Sequence, residues 1–407
     1  MSEPEHVLVV GAGLGGLRTV EGLRRAGYEG RIGLVGTEEP PAYDRPPLSK
    51  QYLAGEWDRD RIDLAAGDHL ETLGVRTHFG RSAVSLRAGA DGNEVELDDG
   101  STLHADAVVL AVGVAARRLA EQPESVHLLR TVDDATGLRK ALANASSLLV
   151  VGAGFIGAEV ASTAVKGGLA VTVLEADGVP MARVLGPEVG ALAGRLISAG
   201  GADLRCGVSV SSLTASGATL SDGTSVEADV TVVGVGACLE LDWLASTGLD
   251  LSGGIVCDEH GRVEGLDGVW AVGDAAAWTD PRYGDRIRHE HWTSATDQAA
   301  AVAADIAGAD PPPESVPYFW SDQFGMKIQL IGRPDLADGL LALHGEGFAD
   351  GADTGGEIKG TTIGYLRGDE LVAVVGFGAA RRVARYRKPL AERATRDAVL
   401  EFRDSLT

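Results

Sequence analysis

VLVVGAGLGG at residues 7–16 and LLVVGAGFIG at residues 148–157 each run a strand of apolar β-formers directly into G-x-G-x-x-G. A single glycine-rich turn of this kind is weak evidence for a nucleotide site. Two in one chain, each between a strand pattern and a helix pattern, describe a protein that holds two dinucleotides. Gly11 and Gly152 allow the tight strand-to-helix turn, Gly13 and Gly154 let backbone approach a pyrophosphate, and Gly16 and Gly157 let the helix lie close on the strand. The phosphates then sit at a helix N-terminus, where unpaired N–H groups and the macrodipole both favour anions. Leu14, Gly15 and Ile156, inside the same two turns, are candidate cofactor contacts with them.

A third segment, GVWAVGDAA at residues 268–276, reads as a strand ending in Gly273-Asp274. Alone this is an ordinary turn. After two nucleotide fingerprints, the chain resembles the pyridine nucleotide-disulfide oxidoreductase superfamily. That resemblance implies FAD on the first fingerprint, with Asp274 on the ribityl chain, and a nicotinamide nucleotide on the second.

The chain has 407 residues, too many for one core, and its 44% hydrophobic content is enough to fold two or three domains. No apolar run approaches the length of a membrane span; the longest, around residues 105–116, fits a buried strand. The acidic MSEPEH start enters the first strand at once and leaves no room for a signal peptide, so a soluble cytoplasmic protein is expected. Cys206, Cys238 and Cys257 are widely spaced and odd in number, which argues against a disulfide framework or zinc site and for buried thiols. Disulfide reductases of the superfamily carry a cysteine pair beside the flavin, and their peroxidase relatives one redox cysteine near position 42. With no cysteine before Cys206, electrons are expected to leave the flavin directly.

Tyr43-Asp44-Arg45-Pro46-Pro47-Leu48-Ser49-Lys50 is the most specific local string, and it resembles the hallmark of NADH-dependent ferredoxin reductases that serve Rieske oxygenases and bacterial cytochrome monooxygenases. The resemblance extends through LRTVDDA (129–135), FIGAEVA (155–161) and FWSDQFG (319–325), and it adds Arg45 and Arg130 as candidate cofactor contacts. Pro46-Pro47 stiffens the loop and removes two donors, which suits backbone held against a flat ring. By the family pattern Lys50 lies near flavin N5 and pairs with Glu159. Trp320 matches a tryptophan over the flavin–nicotinamide site, Trp292 lies toward the flavin's pyrimidine end, and Glu290 is an acid near the flavin. His289-Glu290-His291 lacks a third ligand at helical spacing, so no metal site is expected.

The expected fold is α/β: two Rossmann-like dinucleotide-binding domains of the glutathione reductase kind plus a smaller α+β C-terminal domain. Residues 1–113 and 244–313 form the FAD-binding domain, 114–243 the NADH-binding domain and 314–407 the C-terminal interface domain. Beyond Pro311-Pro312-Pro313, IKGTTIGYLRGDELVAVVGFG alternates as strands, and the tail from Lys388 reads as helix. The strand VTVLE ends at Glu175, where a carboxylate accepts both ribose hydroxyls of NADH and repels a 2′-phosphate; Arg183 lies nearby in a position the family also fills while preferring NADH. On the first fingerprint Thr37 stands where relatives often have an acid, so either Thr37 or Glu38 meets the FAD ribose.

The resemblance implies hydride transfer from NADH to FAD and single-electron delivery to an iron–sulfur ferredoxin of Rieske or plant type, feeding a terminal oxygenase. The expected enzyme is a monomer or homodimer with neither nucleic acid nor membrane as partner. Rival readings are an NADH oxidase, a rubredoxin reductase or nitrite-reductase-type flavoenzyme, or an apoptosis-inducing-factor-like NADH-sensing protein. A net charge of −23 opposes an acidic ferredoxin, but Arg381, Arg382, Arg385, Arg387, Lys388, Arg393 and Arg396 break the trend locally, with only Glu392 nearby in opposition. They are the candidate docking patch, which Arg45 extends.

Overall fold

The computed structural model describes residues 4–39, 42–89 and 92–406, so the first three residues of the acidic N-terminus lie outside it. The chain divides into two compact units: residues 1–44, 60–115 and 238–315, and residues 45–59, 116–237 and 316–407.

The first unit is organised by a five-stranded parallel sheet in the order Val269–Ala271, Ala107–Leu110, His6–Val10, Arg31–Gly36, Val75–Phe79. Val7, Val9, Val108 and Val109 are completely buried, because helices and loops cover both faces of a parallel sheet. The fingerprint strand is central. Its two neighbours lead to opposite sides, which makes its C-terminal end the switch point where open α/β sheets bind ligands. Helices Leu14–Arg25 and Trp292–Ile306 pack together, and Gly22 permits it: a Cβ there would lie 2.8 Å from that of Ala303. Ala83–Gly89, Gly92–Leu97 and Thr102–Ala105 add a small antiparallel sheet.

The second unit holds a four-stranded parallel sheet, Asp203–Cys206, Ala170–Glu175, Ser147–Val151, Val230–Val233. Its C-terminal part is a five-stranded antiparallel sheet, Tyr318–Gln323, Met326–Gly332, Glu370–Phe377, Thr362–Arg367, Gly339–His344. Helices cover this sheet through Val383, Tyr386, Leu390 and Val399. The α/β class with two Rossmann-like sheets and an α+β C-terminal part is therefore observed, and no helix among the described residues is long and apolar enough to cross a membrane.

The helices Phe155–Lys166, Ala182–Leu185 and Pro187–Ala199 are tied to the C-terminal part of this unit at several points. Phe155 packs on Phe319 with ring centroids 4.4 Å apart, and Ser162 Oγ accepts from the Phe324 amide at 2.6 Å. Phe324 turns with φ 48°, and its ring lies over Gly200, where a Cβ would sit 2.1 Å from it. Arg195 donates twice to Asp353, at 2.9 and 3.0 Å, and Tyr365 OH donates to the Leu185 carbonyl at 2.8 Å.

Three sequence expectations change here. The tail from Lys388 is helical but in two pieces, Arg387–Ala391 and Arg396–Asp404, and a further short helix, Ala380–Arg385, precedes it. The break at Arg393 (φ 53°) lets Ala394 O accept from the Leu371 amide while the Arg396 amide donates to Asp369 O, so pairing with the hairpin wins over helix continuation. The apolar run 105–116 is not one strand: Ala105 ends Thr102–Ala105, Ala107–Leu110 is the buried strand of the parallel sheet, and the chain turns at Ala111 against Gly11 before the short strand Ala115–Ala116. Of the three cysteines, all free, only Cys257 is buried; Cys206 ends an edge strand and Cys238 is likewise half-buried.

Candidate functional site

Both fingerprints close by the same steric rule. Gly11 has φ 110° and Gly152 φ 101°, and a Cβ on either would fall 2.2 Å from Ala111 O or 2.4 Å from Gly234 O. The carbonyl of the sheet's other crossover thus occupies the space a side chain needs. A Cβ on Gly16 or Gly157 would meet the carbonyl of Gly11 at 1.9 Å or Gly152 at 2.1 Å. By contrast, Gly13 and Gly154 face open space, and each caps its helix in an extended conformation with no side-chain cap. The first-turn N–H groups are therefore left for an anionic ligand, as a pyrophosphate cradle requires. Leu14 begins the first helix, and Gly15 packs near Val272. Ile156 and Val184 are two of three exposed large apolar side chains among the described residues, and Val184 adjoins Arg183, whose guanidinium lies 3.6 Å from where a Gly236 Cβ would be.

Glu175 ends its strand with both carboxylate oxygens oriented by backbone: Oε2 accepts from the Ala153 amide at 2.7 Å and Oε1 from the Asp177 amide at 3.0 Å. The fingerprint turn itself aims the acid. In the first unit, register places Gly36 at the corresponding position, where a Cβ would be 2.5 Å from that of Ala12, so an acid cannot stand there. Glu38 follows with its Oε2 accepting from Tyr43 OH at 2.6 Å, and Thr37 is exposed, 3.4 Å from Ser82 Oγ.

The Gly273-Asp274 turn has φ 81° at Gly273, and the Gly273 amide donates to buried Gln298 Oε1 at 2.8 Å. Arg288 donates to Asp274 O at 2.7 Å and pairs with Glu290 at 2.6 Å. Trp292 opens its helix and donates from Nε1 to Asp44 at 2.8 Å. The His289 and His291 rings stack, with centroids 5.4 Å apart. Burial pushes His291 down to about 4, against the opposing pull of Asp274, so that ring is neutral near pH 7. Among the described residues no group of three His, Cys, Asp or Glu is arranged to hold a metal ion.

In the second unit the Pro46–Ser49 turn delivers Lys50 to the nucleotide helix Phe155–Lys166. Thr163 Oγ1 donates to the Ser49 carbonyl at 2.8 Å, and Lys50 Nζ lies 2.7 Å from Glu159 Oε2. Lys50 and Glu159 side chains are only 13% and 4% exposed, so each is costly without the other. Arg45 donates to Arg130 O at 2.5 Å, and Arg130 N to Asp134 at 3.0 Å. Trp320 stacks on Tyr318 at 5.8 Å with Lys327 Nζ 6.0 Å from its ring. Ser49, Ser321 and Gln298 are site residues that sequence reasoning missed. Ser49 and Ser321 sit inside motifs read for their neighbours, and serine carries no distinguishing signal until its acceptor is known.

The pyridine nucleotide-disulphide oxidoreductase family matches residues 5–299, and the reductase C-terminal family matches residues 318–404. Rhodocoxin reductase of Rhodococcus erythropolis is 37% identical over 82% of this chain and 79% of that protein. The ferredoxin reductase component of chlorobenzene dioxygenase from Cupriavidus sp. (strain PS12) is 37% identical over 93% of this chain and 90% of its own length. The solved structure of the covalent putidaredoxin reductase–putidaredoxin complex aligns with a TM-score of 0.87 at 30% identity, covering 96% of this chain and 93% of that one. Glycine geometry, sheet order and these matches agree over nearly the whole length, and the chain belongs to the pyridine nucleotide-disulphide oxidoreductase family.

Proposed function

We propose that this enzyme takes a hydride from NADH onto FAD and passes the electrons singly to an iron–sulfur ferredoxin that serves an oxygenase, in the cytoplasm. The observation that carries the reading is the pair of pyrophosphate cradles in one chain that has no cysteine before Cys206. Burial pushes the Cys257 thiol up to about 12, and burial followed by the Glu175 charge raises Cys206, so neither offers a reactive thiolate near pH 7. The names of the relatives support the ferredoxin as acceptor.

When bound, FAD supplies the two-electron to one-electron conversion, chemistry that belongs to the cofactor. The chain's own residues bind and orient. Gly11, Gly13 and the helix beginning at Leu14 fit the FAD pyrophosphate; Asp274, in a turn braced by Gln298 and Arg288, fits its ribityl hydroxyls; Glu38 or Thr37 fits its ribose, and Glu290 and Trp292 line its other end. Gly152, Gly154 and Ile156 fit the nicotinamide nucleotide, with Glu175 on its ribose and Arg183 beside it. Lys50, held by Glu159, supplies positive charge where the hydride step redistributes it, and Trp320 covers the nicotinamide. We assign residues 114–243 to the NADH lobe, 314–407 to the interface lobe, and 1–113 with 244–313 to the flavin lobe, apart from the 45–59 segment that groups with the second unit.

The test is anaerobic reduction of the bound flavin by NADH, followed by addition of a [2Fe–2S] ferredoxin, a rubredoxin, or oxygen. Ferredoxin reduction faster than the other two is expected. Rapid oxygen consumption with no response to ferredoxin would replace this reading by an oxidase.

Gly157→Ala is expected to raise the KM for NADH with FAD retained. Its Cβ would sit 2.1 Å from Gly152 O, and relieving such an overlap costs on the order of 1–3 kcal/mol. That is roughly fivefold to a hundredfold in nucleotide affinity, measurable by titrating flavin bleaching.

The C-terminal basic run is the proposed docking patch, and the structure changes which arginines should be tested. Arg382 donates to Gly360 O, Arg393 lies 3.5 Å from Glu370, Lys388 3.8 Å from Glu392, and Arg387 stacks over Tyr318. Arg381 and Arg385, one helical turn apart, are exposed with no partner among the described residues. Their local field steers an acidic ferredoxin against the chain's net charge, and salt screens it over about 8–10 Å. Reversing both to glutamate should slow ferredoxin reduction and flatten its salt dependence, with NADH-to-ferricyanide turnover unchanged; untouched ferredoxin turnover would move the docking site elsewhere.

A further inference from the structure

Glu159 has more donors than an ion pair with Lys50 requires. Oε2 receives Lys50 Nζ at 2.7 Å and Ser49 Oγ at 2.5 Å. Oε1 receives Ser321 Oγ at 2.7 Å and the Asp322 amide at 3.2 Å. Behind Ser321, Gln323 Nε2 donates into the same hydroxyl at 3.1 Å. A serine hydroxyl has one proton to give. With Gln323 occupying a lone pair, that proton is directed at Glu159. Glu159, Ser49, Ser321 and Gln323 are each at most 3% exposed, so water does not substitute for any of them.

The terminal torsion of a glutamate is broad and roughly two-fold, so a carboxylate held at one oxygen only still swings. Here one oxygen faces the Pro46–Ser49 turn and the other faces the strand Tyr318–Gln323. We propose that Ser321, aimed by Gln323, is a positioning residue for Lys50: it fixes the plane of the Glu159 carboxylate so that Oε2 holds the ammonium in one place. The strand that carries Trp320 thereby sets the position of the Lys50 charge as well. This rests on the reading of Lys50 as the charge used in hydride transfer.

The test uses the flavin-loaded enzyme in four forms: unaltered, Ser321→Ala, Lys50→Ala and the double variant. Stopped-flow reduction by NADH should show Ser321→Ala slowing the limiting rate roughly tenfold to a hundredfold, as expected for loss of one hydrogen bond to a charged group, with the KM for NADH within about twofold. The double variant should be no slower than Lys50→Ala alone, since a residue acting only through Lys50 has nothing to act on once it is gone. A second readout needs no turnover: acylation of Lys50, followed by peptide mass spectrometry without NADH, should accelerate several-fold in Ser321→Ala while exposed Lys388 labels at its original rate. Multiplicative rate losses in the double variant, or unchanged Lys50 labelling, would overturn the proposal. If Lys50→Ala reduces at the normal rate, the catalytic reading of Lys50 falls, yet the labelling still decides whether Ser321 positions it. Ser321→Cys, which keeps the volume and weakens the donor, gives the same comparison if the alanine variant does not fold.

Discussion

Glu175→Ala raises the KM for NADH by roughly tenfold to a hundredfold, the loss expected from charge-assisted hydrogen bonds of about 1.5–3 kcal/mol. The carboxylate is already aimed before any ligand arrives, because the Ala153 and Asp177 amides hold its two oxygens at the mouth of the glycine turn. Little ordering entropy remains to be lost on binding, so most of the interaction appears as affinity. The same negative charge opposes a 2′-phosphate, and the variant should therefore narrow the preference for NADH over NADPH. Steady-state reduction of ferricyanide with each nucleotide measures both effects. Equal kcat/KM for the two nucleotides in the unaltered enzyme would remove the basis of this assignment.

Lys50→Ala slows flavin reduction by roughly a hundredfold, the scale of losing one preorganised charge at a reacting centre. FAD stays bound, because the first fingerprint and the Asp274 turn lie in the other unit. The two members of the pair differ in what their loss leaves behind. Without Lys50, Glu159 keeps three donors: Ser49, Ser321 and the Asp322 amide. Without Glu159, the Lys50 ammonium is left 13% exposed and loses its carboxylate partner. Breaking a buried pair in this way costs about 3–5 kcal/mol. Glu159→Ala should accordingly lower the melting temperature more than Lys50→Ala while slowing reduction to a similar degree. Stopped-flow bleaching and thermal melts of the two variants check this together; normal reduction in both would return the pair to a purely structural role.

What the sequence alone determined is what can be encoded in about ten consecutive residues. Apolar runs and a glycine at required positive φ define both nucleotide units, and a carboxylate at a strand end marks the second, because strand, turn and helix of each fingerprint are chain neighbours with a single steric solution. The same locality explains the errors. Nothing near Arg393 announces that the hairpin at Asp369–Leu371 will capture the chain there, and the arginines of the basic run look alike until Gly360 and Glu370 claim two of them. Tertiary structure alone decided how Glu159 is held. Its side-chain donors Lys50, Ser49 and Ser321 stand 109, 110 and 162 residues away and meet it only when a 3-10 turn and an antiparallel strand pack on one face of the nucleotide helix. Burial then turns those contacts into a requirement, since a carboxylate cut off from water must find its hydrogen bonds within the fold.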